Sequence, residues 1–251
     1  MIKNFNTISP DWDIPHVKVY TVLATASDFS LVTFNHDNPL GDQCKNNIEQ
    51  LIQPCQPTIW IRQVHGNRII QVPGKEDDTD TSANDYYLKN LEADGVFTFN
   101  KRAVCAVITA DCLPIAFSNR NGTQVGVVHA GRKGLQNGII TEMVNDFKVL
   151  PEEIFAWIGP GIAAESYRIS REIREEFLAL SSVYETVFTD CGEGQYLMDL
   201  YQVARIQLEA NGLKKEHVSG EKWDTFSDKR FHSARRDNGQ SGRMATLAWM
   251  E

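Results

Sequence analysis

Short apolar runs separated by glycine, proline and polar residues recur along most of this chain. Runs of this length that are rich in β-branched and aromatic side chains predict β-strands. The run at 103–109 is apolar at odd and even positions alike, which is typical of a strand buried on both faces. The strands predicted in this way span residues 57–64, 95–99, 103–109, 115–117, 125–128, 154–158 and 244–250.

A helical period replaces the strand pattern in three places. Apolar side chains recur every three or four residues over 135–147, and Pro151 ends the pattern, so we expect one helix there. Further helices are predicted over 170–180 and from Asp199 to near Gly212, each opening on a side chain that can cap a helix. Strands and helices in this succession predict an α/β fold, and we expect one domain over 1–251.

Composition narrows the class of protein. The chain has 251 residues, of which 42% are hydrophobic and 23% charged, as in ordinary globular proteins. Its net charge of −8 disfavours a nucleic-acid-binding surface, which needs dense positive charge. No apolar stretch reaches membrane-spanning length, the first residues lack a signal-peptide pattern, and the five cysteines do not form a disulfide framework. We therefore expect a cytoplasmic protein with reduced thiols and no membrane or nucleic-acid partner.

Three residues of types that commonly bind soft metals each lie at or just past the end of an apolar run. They are His65, Cys112 and His129. Because functional residues gather at the carboxyl ends of strands in α/β proteins, we expect the three to meet at one site. One cysteine and two histidines are the ligand number and type of a catalytic zinc centre, and they also suit copper. The sequence therefore predicts a metal site with zinc as the first choice and copper as the alternative.

Two other readings of the same residues remain open. Cys112 can be a buried thiol and the histidines satisfied polar residues. Alternatively, Cys112 is a nucleophile, with His129 or His65 as its base and Asp111 as the residue that orients the base, which would give a cysteine hydrolase. Asp111 itself fits a general base, a hydrogen-bond partner of a metal-bound histidine, or a carboxylate that caps the turn before Pro114.

Basic residues near the predicted site suggest anion binding. The turn after His129 contains two glycines together with Arg132 and Lys133 at the start of a predicted helix, an arrangement that can hold phosphate or a carboxylate. The tail adds a second basic cluster to an acidic protein. Its arginines, which either complete the anion site or form surface ion pairs, are Arg235, Arg236 and Arg243.

Several motifs, taken in order, resemble those of the YfiH-like family, also called the laccase-domain, peptidoglycan editing factor or purine nucleoside phosphorylase family. The resemblance runs from about the first predicted strand to the last residues. The motifs are Gln63-Val64-His65-Gly66, Ala93-Asp94-Gly95, Thr109-Ala110-Asp111-Cys112-Leu113-Pro114, His129-Ala130-Gly131, Ile158-Gly159-Pro160, Arg235-Arg236-Asp237 and Gly242-Arg243-Met244-Ala245.

The resemblance implies a layered α/β sandwich with mixed sheets and flanking helices, and a metal held by His65, Cys112 and His129. It also implies phosphorolysis of adenosine, inosine, guanosine or methylthioadenosine, and deamination of adenosine. Copper-dependent polyphenol oxidase assignments belong to the same family. The expected partners are a purine nucleoside and phosphate, and the expected assembly is a monomer or a small homo-oligomer. In deamination, Asp111 would move protons while the metal activates water.

Two residues in the anion turn depart from the family pattern. Arg132 replaces a tryptophan, and Lys133 replaces an arginine, which keeps the charge but removes the bidentate fork that grips phosphate. Other functions therefore stay open. They are a cysteine hydrolase or cell-wall precursor amidase that uses Cys112, a copper-dependent oxidase, and a metal-binding module without turnover.

Overall fold

The computed structural model describes residues 7–23, 58–72, 91–101 and 103–251. They form two large β-sheets packed face to face, with helices against the outer face of the second sheet. The largest apolar cluster fills the space between the second sheet and the helices, and smaller clusters lie between the sheets. The predicted layered α/β architecture with mixed sheets and flanking helices is confirmed.

The first sheet has five strands in the order β1-β2-β14-β6-β3. All its pairings are antiparallel except that of β3 with β6. Its strands are β1 (Thr7–Ile8), β2 (Val17–Val22), β3 (Thr58–Ile59), β6 (Val104–Thr109) and β14 (Met244–Met250).

The second sheet has six strands in the order β13-β9-β7-β8-β5-β4, antiparallel in its middle and parallel at both edges. A small antiparallel sheet has the order β10-β12-β11. The strands of the second sheet are β4 (Ile69–Val72), β5 (Gly95–Thr98), β7 (Leu113–Asn119), β8 (Val125–Ala130), β9 (Ile154–Ile158) and β13 (Val218–Ser219). Those of the small sheet are β10 (Arg168–Ser170), β11 (Phe188–Asp190) and β12 (Gln195–Met198).

The α-helices of the described residues all follow β8 in sequence. They are α1 (Arg132–Gln136), α2 (Ile139–Asp146), α3 (Arg171–Leu180) and α4 (Leu200–Ala210). Helix α2 packs on β8, and helix α4 packs on α2. Short 3-10 turns span Pro151–Glu153, Ala164–Ser166, Ser182–Val187 and Lys215–His217. Within the described ranges, none of the helices is long and apolar enough to cross a membrane.

Most predicted elements are present. The strands over 154–158 and 244–250 have the predicted bounds, and the other predicted strands after residue 90 shift by one or two residues at their ends. Helix α4 begins as predicted, because the Asp199 carboxylate accepts the Gln202 N–H at 2.8 Å, and it ends before Gly212 at φ +90°. Ser170 occupies the predicted cap position of α3, but its hydroxyl accepts no hydrogen bond from the helix backbone.

The strand predicted over 57–64 is wrong beyond Ile59. Only an isolated bridge at Arg62 continues the pairing. The Gln63 side-chain amide instead bonds to both the N–H and the carbonyl of Ile108 in β6, each at 2.8 Å. The N–H groups that follow turn toward the Asp94 carboxylate. Side chains thus replace the backbone ladder that an apolar run normally makes.

The helix predicted over 135–147 is two helices. Gly138 adopts φ +82° and separates α1 from α2, because a left-handed residue cannot continue a right-handed helix. The apolar side chains that suggested one helix are all buried, so the period identified the buried face correctly. The predicted loop over 73–90 lies outside the described residues, and strands β1, β2, β4 and β10 to β13 were not predicted.

Candidate metal centre

The structure brings together His65, Cys112 and His129, which lie far apart in sequence. Their nearest nitrogen and sulfur atoms are all within 4.8 Å of one another. The two imidazole rings have centroids 4.6 Å apart and meet edge to face at 78°. One metal ion can bridge donors at this spacing after small side-chain adjustments.

The fold explains why the three residues meet. Cys112 lies in the turn between β6 and β7, directly before Leu113. His129 lies in β8, which pairs with β7 in a register that sets Leu113 opposite Ala130. His65 follows the five-stranded sheet and has φ +61°. Each candidate ligand is therefore held by a different segment of backbone.

A glycine next to this cluster leaves room for the donor atoms. A Cβ atom built on Gly131 would lie 2.8 Å from Cys112 Sγ and 3.3 Å from His65 Cδ2. The Gly131 backbone has φ −73°, which any residue tolerates. The requirement for glycine therefore comes from the crowding of the donors and not from the backbone.

The exposure of the three residues is graded. His129 is 4% exposed, Cys112 is half-buried and His65 is exposed. Structural zinc sites usually have four protein ligands, whereas catalytic sites have three and keep one position for water or substrate. Three donors whose exposure increases from His129 to His65 match a catalytic zinc site.

The charges of the cluster favour a thiolate. Burial opposes ionisation of Cys112, but His129 and His65 beside it outweigh burial and lower the pKa of the thiol to about 6. Burial also opposes the charged form of His129, but the Cys112 thiolate and the Asp94 carboxylate raise the pKa of that imidazole to about 9. In the metal-free protein the thiol and the imidazole therefore form an ion pair, and a metal that binds both displaces the proton.

Asp94, to which no role in the site was assigned from the sequence, contacts two of the cluster residues. Its side chain is fully buried and accepts a hydrogen bond from His129 Nδ1 at 2.8 Å. It also accepts the backbone N–H groups of Val64, His65 and Gly66 at 3.1, 2.9 and 2.7 Å. The one indication of this role in the sequence was an acidic residue at the start of an apolar strand. A buried carboxylate there is tolerated only if it accepts several hydrogen bonds.

Asp111 does not contact a cluster histidine through its carboxylate. It lies directly before Cys112 with φ +85° and is 9% exposed. Its two oxygens accept the Thr225 hydroxyl and the Arg235 backbone N–H, each at 2.6 Å. The hydrogen-bond partner of a cluster histidine is thus Asp94, and Asp111 ties the tail of the chain to the turn that carries Cys112.

Two of the predicted anion-binding residues lie together beside the cluster. Arg235 places its guanidinium 5.1 Å from the centre of the Tyr167 ring. Arg132, whose charge also acts on Tyr167, donates a hydrogen bond to Gln136 Oε1 at 3.1 Å and forms a 3.5 Å ion pair with Glu176. Burial raises the pKa of Tyr167 despite the opposing charges of both arginines, and the Cys112 thiolate raises it further. The charges of Arg132, Arg235 and Cys112 therefore all act on Tyr167.

The other predicted anion-binding residues are placed differently. Arg236 donates to the carbonyls of Thr225, Phe226 and Phe231 and pairs with the neighbouring Asp237. Arg243 donates to the carbonyls of Ser241 and Gly242. Lys133 is exposed, and within the described ranges it forms no ion pair. Arg236 and Arg243 thus bond mainly to the backbone of their own segment.

The chemistry of the donors fits the metal that the resemblance implies. A thiol that already ionises near pH 6 and two imidazoles are donors that zinc and copper both accept. The hydrogen bond from His129 Nδ1 to Asp94 leaves Nε2 as the atom that can bind a metal. The profile of a protein family described as multi-copper polyphenol oxidoreductase laccase matches residues 27–251. The chain belongs to this family.

Other members of this laccase-like, YfiH-type family carry a different functional name. A purine nucleoside phosphorylase of Haemophilus influenzae is 35% identical over 97% of this chain and 99% of its own length. Purine nucleoside phosphorylase YfiH of Escherichia coli is 36% identical over 85% of this chain and 83% of its own length.

Solved structures of the family agree with the fold. A Neisseria meningitidis protein superposes with a TM-score of 0.84 at 28% identity, over 98% of this chain and 99% of its own. Bacillus licheniformis YfiH superposes with a TM-score of 0.86 at 25% identity, over 100% and 98%. The architecture described here is therefore shared with both of these solved structures.

Proposed function

We propose that this protein is a zinc-dependent purine nucleoside enzyme. It cleaves adenosine, inosine, guanosine or methylthioadenosine with phosphate and deaminates adenosine to inosine. The observation that carries the proposal is the open cluster of His65, Cys112 and His129, in a chain that aligns over nearly its full length with a protein named purine nucleoside phosphorylase. Copper is the other ion that this donor set accepts.

The three cluster residues hold the metal in this proposal. When bound, zinc supplies Lewis-acid chemistry that activates water near neutral pH. His129 forms the buried wall of the site, the half-buried Cys112 lies next to it, and His65 forms the side that faces solvent. The reacting nucleoside therefore approaches from the side of His65.

Phosphorolysis needs a phosphate held against the ribose C1′ carbon. Arg132 and Arg235 converge on Tyr167 beside the cluster, and guanidinium groups bind phosphate with charge-assisted hydrogen bonds. The exposed Lys133 adds a third charge at the mouth of the same turn. We assign phosphate binding first to Arg132 and Arg235.

Arg236 and Arg243 support this anion site indirectly. Both guanidinium groups donate to backbone carbonyls of the tail, so their charge stabilises the segment that presents Arg235. Asp111 fixes the same segment through the Arg235 N–H. Its proposed role in proton transfer would use an oxygen that already accepts a hydrogen bond, which favours anchoring as its first role.

A multi-copper oxidase is less consistent with the described residues. His65, Cys112 and His129 form the single group of three or more metal-binding side chains found within them. His217, for example, stacks on Phe155 at 3.9 Å and hydrogen bonds with Arg120. One group of three donors supports a mononuclear site.

The cysteine-hydrolase alternative uses the same thiol. The low pKa of Cys112 means that the metal-free protein reacts with alkylating agents under either function. Labelling of Cys112 is therefore no test between the two. Activity after removal of the metal is the measurement that separates them.

The test is to quantify bound metal and to incubate the protein with adenosine, with and without phosphate, while products are followed chromatographically. We expect about one zinc ion per chain, adenine and ribose 1-phosphate when phosphate is present, and inosine with ammonia when water is the nucleophile. His65→Ala should abolish both reactions. His16→Asn is the matched control, because His16 lies in a turn outside the cluster at φ +64°, which asparagine tolerates.

Each alternative has its own outcome. Zinc binding without product from any of the four nucleosides would contradict the enzyme and favour a binding module. Activity that survives chelation and is lost in Cys112→Ala would favour the hydrolase. Copper binding with oxidation of a polyphenol would favour the oxidase.

A further inference from the structure

A single carboxylate links two of the three cluster residues. Asp94 lies where the segment after His65, the start of β5 and the end of β8 meet. It is fully buried, and each of its side-chain oxygens accepts two hydrogen bonds. We infer that Asp94 is a positioning residue that sets the geometry of His65 and His129 for metal binding. The inference rests on the proposed metal site and deepens it.

Asp94 fixes His129 at two points. The His129 backbone N–H donates to the Asp94 carbonyl at 2.7 Å, and the ring Nδ1 donates to Oδ1 at 2.8 Å. The first bond sets the position of the backbone and the second sets the orientation of the ring. Because Nδ1 keeps its proton in the bond to Asp94, Nε2 is the nitrogen that gives up its proton and offers a lone pair when a metal binds. The carboxylate therefore selects both the tautomer and the direction of the ring.

Asp94 fixes His65 through the backbone. A side-chain-bearing residue at φ +61° is disfavoured, and such conformations persist when the surroundings determine them. Here the N–H groups of Val64, His65 and Gly66 converge on one carboxylate, as in the backbone nests that bind anions. The anion in this case belongs to the protein itself. It holds the turn in the conformation that points His65 toward the cluster.

Asparagine cannot replace this carboxylate. All four groups that face the side chain are donors, and an ionised carboxylate is purely an acceptor. If the amide nitrogen of asparagine took the place of Oδ2, it would face the N–H groups of Val64 and Gly66. If it took the place of Oδ1, it would face the His65 N–H and would donate to His129, which reverses the tautomer. Either orientation disturbs a ligand.

The test compares Asp94→Asn with Asp224→Asn. Asp224 is a half-buried carboxylate that also accepts several hydrogen bonds, from the N–H groups of Ala163 and Phe226 and the Ser166 hydroxyl, but it bonds to no cluster residue, so it is the matched control. Zinc affinity is measured by competition with a chromophoric chelator. We expect Asp94→Asn to weaken zinc binding by about 10- to 100-fold, the range seen when partners of metal-bound histidines are removed. We expect Asp224→Asn to stay within about threefold of the wild type, below that range.

Nitrogen-15 NMR of the histidine rings in the zinc-loaded wild type gives a second readout that does not depend on how the variant folds. We expect His129 to carry its proton on Nδ1 and to bind zinc through Nε2. Zinc bound through Nδ1, or equal zinc affinity in Asp94→Asn and wild type, would overturn the inference. A wild-type protein that binds no zinc would instead overturn the proposed function.

Discussion

Replacing Gly131 by alanine should weaken metal binding without disturbing the backbone. The added Cβ atom would lie 2.8 Å from Cys112 Sγ, whereas non-bonded heavy atoms rest at roughly 3.5 Å or more. The sulfur must therefore move by about 0.7 Å. Protein ligands of a metal keep their distances within about 0.2 Å, so this displacement is too large for an intact site. Because Gly131 has φ −73°, alanine introduces no backbone strain.

The expected size of the effect follows from that displacement. Loss of a partner that merely orients a ligand costs about 10- to 100-fold in metal affinity. Displacement of a ligand atom itself should reach at least the upper value, and 100-fold corresponds to about 2.8 kcal/mol. The atoms that the added Cβ would crowd are side-chain atoms of Cys112 and His65 and not backbone atoms. The metal-free variant should therefore unfold at nearly the wild-type temperature.

Gly66→Ala is the control for this experiment. Its Cβ would meet the Asp94 carboxylate at 3.5 Å and Val64 Cγ2 at 3.7 Å, which are ordinary contacts. The assay is chelator competition on the wild type and both variants, with thermal unfolding followed by circular dichroism. Zinc affinity of Gly131→Ala within threefold of the wild type would refute the reasoning. So would an equal loss in Gly66→Ala.

Four further predictions concern the site and the tail segment beside it. In the metal-free protein, the rate of Cys112 alkylation should rise with pH around a midpoint of about 6, because the thiolate is the reactive form and its pKa is lowered. A midpoint near 9 in the pH profile of this rate would contradict the ion pair with His129. Cys112→Ala should abolish phosphorolysis and deamination in parallel, and loss of deamination alone, measured by product chromatography, would contradict a shared metal. Arg235→Ala should raise the KM for phosphate by roughly 10- to 100-fold, as expected for one lost charge-assisted hydrogen bond, and leave deamination unchanged. Arg236→Ala should instead lower the free energy of unfolding by roughly 1.5–3 kcal/mol, which denaturant titration would show, and a selective effect on phosphate KM would argue against its backbone role.

The parts of the fold that could be predicted are those in which local pattern and tertiary packing agree. The run at 154–158 forms a central strand with the predicted bounds, and the Asp199 carboxylate caps a helix as predicted. The run at 57–64 is also rich in β-branched and aromatic residues. It fails as a strand beyond Ile59 because side chains take the place of strand pairing. The Gln63 side chain bonds to the backbone of Ile108, and the Asp94 carboxylate accepts the His65 N–H. Such long-range side-chain bonds leave no period in the sequence.

The candidate site, like the fold, could be predicted from the sequence only in part. His65, Cys112 and His129 were expected together because each ends an apolar run, and the structure places them together. Asp94 was not assigned a role, because nothing in the sequence shows which histidine faces a given carboxylate. The anion-binding role expected of Arg236 was drawn from its charge alone. Its bonds to three carbonyls depend on how the tail folds back on itself.

The position of Cys112 has a consequence for how long the protein survives in a cell. The turn that carries it leaves β6 in one large sheet and enters β7 in the other, while His129 lies in the second sheet and His65 follows the first. A metal bound by all three ties the two sheets together, and it stabilises the folded state by about 2.7 kcal/mol when free metal exceeds the Kd 100-fold. Scarcity of the metal would then lower the amount of protein through faster proteolysis as well as through loss of turnover.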